Sequence, residues 1–448
     1  MQKENAPQAC DVLIEAGYVV PVVPHAVVLE AHAVVIRDDA IVDILPIAEA
    51  HQQYTAAKTV RRPNAALIPG FVNAHTHNPM SLMRGVADDL PLKVWLQQHI
   101  WPIEGAVIGP DFVEAGCTHA VAEMLRCGTT TCNENYFFPD IQAKTYEALG
   151  FRVRVGLPVI DFPTAWAKDD DEYFARAEEV HHALNGKPLI TTSMAPHAPY
   201  TVDDDNFARV RDMSEKLGIP VHLHLHETAQ EVEQSIADYG VRPIERLRRL
   251  GLINRGLMAV HMTQLTNEEI HLCSEHGVSV VHCPESNLKL ASGFCPACAL
   301  MKAGVNVAIG TDGVASNNDL DMIGETRTAA ILAKAVADDA SALSAPEALR
   351  AATLGGAKAM HLDHAIGSIE IGKQADLACI DLSSVETQPL YHVISQIVYA
   401  ATRNDVSDVW IAGKQKLEQR ILVDMDEQAV LANARTWQKK IAAVGAAR

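Results

Sequence analysis

Between residues 66 and 310 the chain returns about eight times to a short apolar run rich in β-branched residues, with an amphipathic stretch between most successive runs. The runs begin at Ala66, Thr129, Val153, Leu189, Val221, Leu257, Val278 and Val305. Segments such as Asp203 to Leu217 and Val232 to Leu250 place apolar residues at three- and four-residue steps, the period of a helix with one buried face. Alternation of this kind builds a parallel α/β sheet, and a count near eight favours closure into a (β/α)8 TIM-type barrel. Most runs end in, or closely precede, a polar residue of catalytic type, and the C-terminal rim of the strands is where such a barrel carries its chemistry.

The flanks have a different texture. Residues 11 to 66 and the stretch from Gly367 onward read as short strands separated by turns, and the two ends are expected to pair into one small β-sandwich. The expected organisation is 1–66 for the first part of the sandwich and 67–366 for the barrel. Residues 367–448 would supply the second part and a C-terminal helix. Ala335 to Pro346 reads as a connection before a helix over Glu347 to Met360.

Composition narrows the partners. With 37 Lys plus Arg against 56 Asp plus Glu, the formal charge of −19 repels a phosphate backbone, so nucleic acid is not expected. No apolar run approaches the ~20 residues that span a bilayer, and the N-terminal M-Q-K-E-N-A-P-Q-A-C is polar. A cytoplasmic protein without a membrane partner is expected, with self-association into a homo-oligomer left open. Nine cysteines at irregular spacings do not resemble a disulfide framework. Cys295 and Cys298 form a lone C-x-x-C with no second pair, which packing explains.

The chemistry begins at N-A-H-T-H. Side chains alternate along a strand, so His75 and His77 project to the same side. A bare H-x-H is common, but a second source of imidazoles follows in V-H-L-H-L-H-E, where His222, His224 and His226 alternate onto one face and any of them could supply a third nitrogen. In G-T-D-G, Asp312 occupies a glycine-flanked turn at the end of the last run, where a carboxylate ordinarily caps a helix but could also ligate a metal and take a proton from water. Three imidazoles and one carboxylate form an N3O set with room for a water, the composition of a catalytic zinc centre holding one divalent metal per chain. Iron or cobalt suits the same donors. Neither H-E-x-x-H nor H-x-E with P-C-x-x-C is present, which sets aside two other zinc hydrolase designs.

The motifs P-G-F-V-N-A-H-T-H, W-L-Q-Q-H-I-W-P-I-E, A-P-H-A-P-Y, H-L-H-E-T, A-V-H-M-T, H-C-P-E-S-N-L-K-L-A-S-G and G-T-D-G-V-A-S-N-N-D-L-D-M run essentially end to end. With G-S-I-E-I-G-K-Q-A-D-L they resemble the amidohydrolase superfamily, in its branch of 5-methylthioadenosine/S-adenosylhomocysteine deaminases. The resemblance implies that His224 is the third histidine ligand and Glu227 the acid/base. It also implies that His261 polarises the attacking water and the tetrahedral intermediate, that Glu104 binds the ribose hydroxyls and that His197 binds the purine. His226 stands where the family usually has a small residue.

The implied reaction is hydrolytic deamination of the adenine ring of 5′-methylthioadenosine, S-adenosylhomocysteine or adenosine to the inosine analogue and ammonia. Binuclear relatives carry a lysine at the end of the fourth strand, whereas L-I-T-T-S-M-A-P-H has none, so a single metal is implied. The alternative is a mononuclear relative acting on guanine, a triazine or a pterin; Glu104 argues for a ribose. Arg84, Arg152 and Arg154 are candidates to meet the carboxylate of the larger thio-nucleoside. Trp95 and Trp101 are candidates to cover the thioether end.

Overall fold

A computed structural model describes residues 7–446; residues 1–6, which include most of the polar N-terminus, and 447–448 lie outside the described residues. Eight parallel strands in simple sequence order form the barrel: Phe71–Thr76, Thr129–Glu134, Arg152–Val159, Ile190–Pro196, Val221–Leu225, Leu257–His261, Ser279–His282 and Asn306–Ile309. Nearly every residue in them is buried, as in a parallel sheet wrapped by helices on its outer face. The eighth strand returns to the first through the N–H of Asp312, which donates to the carbonyl of His75 at 3.0 Å, and the N–H of Thr311, which donates to Asn73 Oδ1 at 2.9 Å.

Both chain ends meet in a separate eight-stranded sheet. Its centre pairs Gln8–Val19 in parallel with Tyr54–Pro69, and Tyr54–Pro69 antiparallel with Leu377–Asp381. Outer strands complete it on both sides, Leu29–Arg37 and Ala40–Pro46 on one, and Val406–Ile411, Lys414–Glu418 and Ile421–Leu422 on the other. One face buries Ile14, Val34, Ile36, Leu67 and Trp410 together; the other packs Leu13, Val35 and Cys10 against the short helix Ile47–Gln53. The chain ends on a long helix, Glu427–Ala446, whose Trp437 and Ile441 join the barrel's main core.

Three segments depart from the sequence reading. The first apolar run does not make one strand: residues up to Pro69 belong to the outer sheet, and the barrel begins at Phe71. The break is Gly70, where a Cβ would stand 2.2 Å from the Thr130 side chain and no larger residue fits. The helix read over Val232 to Leu250 is two helices, Ala229–Tyr239 and Pro243–Arg249. Gly240, at φ 73°, ends the first in the left-handed conformation, and Pro243 starts the second where its missing N–H is not needed. The connection after Ala335 starts later than expected, because the preceding helix runs over Met322–Ala337. All nine cysteines are free and buried, with Cys295 and Cys298 among the packed side chains behind the barrel. No helix among the described residues is long and apolar enough to cross a membrane.

A buried ion pair joins the two units. Arg152, at the start of the third barrel strand, donates from Nε and Nη2 to the two oxygens of Asp376 at 2.7 and 3.0 Å. Asp376 stands just before the strand Leu377–Asp381 and also accepts from the N–H of Ala412. Removing one member of such a pair leaves the other charged and buried. Asp376→Ala is therefore expected to destabilise the protein by about 3–5 kcal/mol in urea unfolding. A loss below about 1 kcal/mol would mean that the joint is held by apolar packing alone.

Candidate active site

The strand ends bring together all four residues expected to ligate a metal. His75 and His77 lie at the C-terminal end of the first barrel strand and just beyond it, with ring centroids 4.7 Å apart. His224 is on the fifth strand, with its ring 4.8 Å from His75 and 5.3 Å from His77. Asp312 follows the eighth, its Oδ1 lying 3.1 Å from His75 Nε2 and 3.3 Å from His77 Nε2. His75, His77 and Asp312 satisfy the spacing of a metal-binding group, and so do His75, His224 and His261.

The Nδ1 side of each imidazole is already engaged. His224 Nδ1 donates to the carbonyl of His197 at 2.6 Å, His77 Nδ1 donates to the carbonyl of Asn135, and His75 Nδ1 meets His222 Nε2 at 2.9 Å. His77 and His224 therefore turn their Nε2 atoms towards each other at 3.3 Å, beside the Asp312 carboxylate, whose hydrogen bond and charge outweigh burial and raise the His77 imidazole above its ordinary value. Three imidazole nitrogens and a carboxylate oxygen converging on one point form an N3O donor set that fits a divalent ion, which would take a water as a fifth ligand. The fourth strand, Ile190–Pro196, contributes no lysine, so nothing there could bridge a second ion.

The ambiguity at V-H-L-H-L-H-E resolves by geometry. His222 sits one layer deeper and contacts His75 through its ring. The expectation that His226 shares their face is corrected: the strand stops at Leu225, and His226 adopts φ 52°. Its ring turns away from the barrel mouth, and Nε2 accepts from the N–H of Ile244 at 3.1 Å. His261 and Asp312, at φ 74° and 64°, are also left-handed, so three non-glycine residues at the strand ends hold a conformation disfavoured for side chains with a Cβ.

Burial sets the protonation states. It is the main reason that the His197 and His261 imidazoles are pushed down to about 4 and about 3, and that His224 falls well below its ordinary value. All three are neutral at physiological pH. Burial acts to raise Asp312, but the hydrogen bonds and charges of His75 and His77 outweigh it and hold the carboxyl well below its usual range. Glu227 goes the opposite way: burial first, then the negative charges of Asp312 and Glu231, push its carboxyl well above the usual carboxylate range. Two carboxyls on one cavity wall are thus driven in opposite directions, Asp312 towards the ionised form and Glu227 towards the protonated one.

These groups line a cavity of about 470 Å³ that also holds Glu104 and His197. Glu104 accepts from the Tyr136 hydroxyl at 2.5 Å, and burial pushes its carboxyl up to about 7. His197 Nδ1 lies 2.8 Å from Thr201 Oγ1. Trp95 and Trp101 both contribute to the wall, together with Met80, Leu92, Leu96 and Phe162. Among the described residues no lysine or arginine lines the cavity. The three arginines read as candidates for a tail carboxylate are occupied elsewhere: Arg84 by Glu123, Arg152 by Asp376, and Arg154 by the carbonyls of Thr192 and Met360.

Sequence reasoning missed several supporting residues. Asn287 Nδ2 donates to His261 Nδ1 at 2.9 Å, which leaves the imidazole proton on Nε2. Ser286 and Ser316 donate to Asp312 Oδ2 at 2.6 and 3.1 Å. Both Ser286 and Asn287 belong to the motif H-C-P-E-S-N, so their presence was readable and their partners were not.

Comparisons with known proteins show the family. The profile of the Amidohydrolase family matches residues 66–416. The 5-methylthioadenosine/S-adenosylhomocysteine deaminase of Teredinibacter turnerae is 43% identical over 433 residues, covering 97% of this chain and 98% of that protein. The protein of the same name from Saccharophagus degradans is 42% identical, covering 97% of both. A crystal structure of an adenosine deaminase from Xanthomonas campestris with bound zinc is 68% identical, with a TM-score of 0.97 over 98% of this chain and 100% of that one. Atrazine chlorohydrolase from Arthrobacter aurescens, at 21% identity and a TM-score of 0.89 over 95% of this chain and 100% of that one, shares the fold.

A test of the burial argument comes from His282, which is 1% exposed at the end of the seventh strand and is pushed down from 6.5 to about 4 by burial alone. The unfolded chain takes up this proton first as pH falls, so stability present above about 6.5 is lost as pH drops towards about 4. The ion-free protein should therefore have a lower urea midpoint at pH 5 than at pH 7, and His282→Gln should show a smaller drop. Equal drops would contradict the assignment of a neutral, buried His282.

Proposed function

The chain belongs to the amidohydrolase family, and from that premise we propose that it hydrolytically removes the 6-amino group of 5′-methylthioadenosine, releasing ammonia and the inosine analogue. The observation that carries this reading is that Asp312 and Glu227, whose carboxyls are shifted in opposite directions, line one cavity that also holds Glu104. We assign the metal to His75, His77, His224 and Asp312. Zinc is the preferred ion, supported by the bound zinc of the Xanthomonas campestris structure. When bound, a divalent ion supplies acidity to a coordinated water, bringing its pKa from ~16 towards ~7.

The remaining steps belong to the chain's own side chains. Asp312 accepts the water's proton as oxygen adds to C6, and Glu227 delivers its proton to the adjacent ring nitrogen, so the ring does not have to carry negative charge when its aromaticity is lost. His261, with its proton on Nε2, donates to the oxygen as charge develops there. The Asp312 proton then leaves with the amine as ammonia, the proton of the C6 hydroxyl passes to the Glu227 carboxylate and restores it, and C6 becomes a carbonyl carbon. Glu104 would accept from the ribose hydroxyls, and His197 would face the purine.

Substrate preference follows from the cavity wall. Trp95, Trp101, Leu92, Leu96 and Met80 offer an apolar surface suited to a methylthio group. The amino-acid tail of S-adenosylhomocysteine would bring a carboxylate to a wall without a cation. The expected order of kcat/KM is 5′-methylthioadenosine first, then adenosine, with S-adenosylhomocysteine last. The free cysteines support a reducing cytoplasmic setting.

The metal-replete protein should release ammonia from 5′-methylthioadenosine, and Glu227→Gln should lower kcat by about 10²- to 10⁴-fold with metal content unchanged. Turnover of guanine in preference to the nucleosides would replace this substrate assignment. S-adenosylhomocysteine as the best substrate would show that the missing cation does not govern selectivity.

A further inference from the structure

Glu227 does its work from an unusual piece of backbone. The strand ends at Leu225, His226 takes a left-handed conformation, and the helix Ala229–Tyr239 starts after Thr228. Every backbone polar group of the pair His226–Glu227 has a partner. The carbonyl of His226 accepts from the N–H groups of Thr263 and Gln264 at 2.9 and 3.2 Å, and the carbonyl of Glu227 accepts from Thr263 Oγ1 at 2.7 Å. The two N–H groups go to one side chain: His226 N–H donates to Glu231 Oε1 at 2.9 Å, and Glu227 N–H donates to Glu231 Oε2 at 2.7 Å.

This is not the ordinary use of a glutamate at the third helical position. Thr228 caps the helix by accepting from the N–H of Glu231. In a capping box the glutamate would reach back to the capping residue's own N–H. Here the carboxylate reaches further, to the two residues that precede the cap. It is 6% exposed and bidentate, so it fixes both peptide planes at once. The Glu227 side chain itself has only long contacts, from Ser292 Oγ at 3.5 Å and from His261 Nε2 at 3.8 Å. Its direction is therefore set from behind, by the backbone that Glu231 holds.

Resting on the assignment of Glu227 as the proton donor, we infer that Glu231 is a positioning residue for the reaction, holding the left-handed His226–Glu227 turn that aims the Glu227 carboxyl into the cavity. Glu231 touches neither substrate nor metal in this scheme, and it acts through Glu227 alone. Misplacement of a reacting group by about 1 Å can cost on the order of 10²-fold in rate. Loss of the bidentate grip should accordingly appear in kcat and leave substrate binding nearly unchanged.

The test is a double-mutant cycle on the metal-replete enzyme, with kcat, KM, metal content and thermal midpoint measured for each variant. Glu231→Gln keeps the shape but replaces one acceptor oxygen with a donor that faces the Glu227 or His226 N–H. It is expected to lower kcat about 10- to 100-fold while KM changes by less than about threefold. In the Glu227→Gln background the same change should cost nothing further, since an aim without a proton has no effect. Thr263→Val, which removes the hydroxyl that holds the Glu227 carbonyl, should repeat the kcat-selective loss and provides the test if Glu231→Gln does not fold. An unchanged kcat in Glu231→Gln, or a loss that adds in full to that of Glu227→Gln, overturns the positioning role while leaving the deaminase reading intact. Full activity in Glu227→Gln overturns both.

Discussion

The protein depends on one electrostatic conflict. Imidazole Nε2 atoms from the ends of the first and fifth barrel strands are driven to within 3.3 Å of each other and of the Asp312 carboxylate after the eighth. The Nδ1 positions are already committed to carbonyls or to a deeper histidine, so only the Nε2 atoms face the carboxylate. A cation resolves the conflict. The barrel makes the arrangement possible because strands distant in sequence end on one rim, and hydrogen bonds from the eighth strand to the first set the rim's spacing.

Around this centre the same burial produces opposite results in chemically similar groups. Asp312 faces His75 and His77 and is held below the usual carboxylate range, whereas burial and the charges of Asp312 and Glu231 raise Glu227 above it. Two carboxyls are shifted apart in this way without any residue type specialised for acid or base. The left-handed backbone at His226, His261 and Asp312 has a related logic. Each lies at or just past a strand end, where a change of direction aims a side chain that continued strand alternation would have misdirected.

Much of this was readable in the chain. The eight runs, the helical spacers and the pairing of both ends follow from local periodicity, which parallel strands and amphipathic helices express directly. The reading failed where one or two residues interrupt a pattern. Gly70 divides an apparent single strand between two sheets, Gly240 and Pro243 divide a helix, and His226 leaves the face that alternation assigned to it. His75, His77 and Asp312 were legible as donors because their motifs sit at strand ends, while the choice of His224 over its neighbours needed the resemblance and then the backbone geometry. Glu231, Asn287 and Ser286 escaped because their roles depend on contacts across the fold, and no spacing in the sequence encodes those.

The central claim is that one divalent ion resolves the conflict at the rim, held by His75, His77, His224 and Asp312. Anomalous diffraction from crystals of the purified protein, recorded on both sides of the zinc edge, tests it most directly. The account predicts one peak per chain among the Nε2 atoms of the three histidines and Asp312 Oδ1, at about 2.0–2.2 Å from each. Two peaks at the rim, or a single peak held by His261 in place of His77 or Asp312, would contradict it.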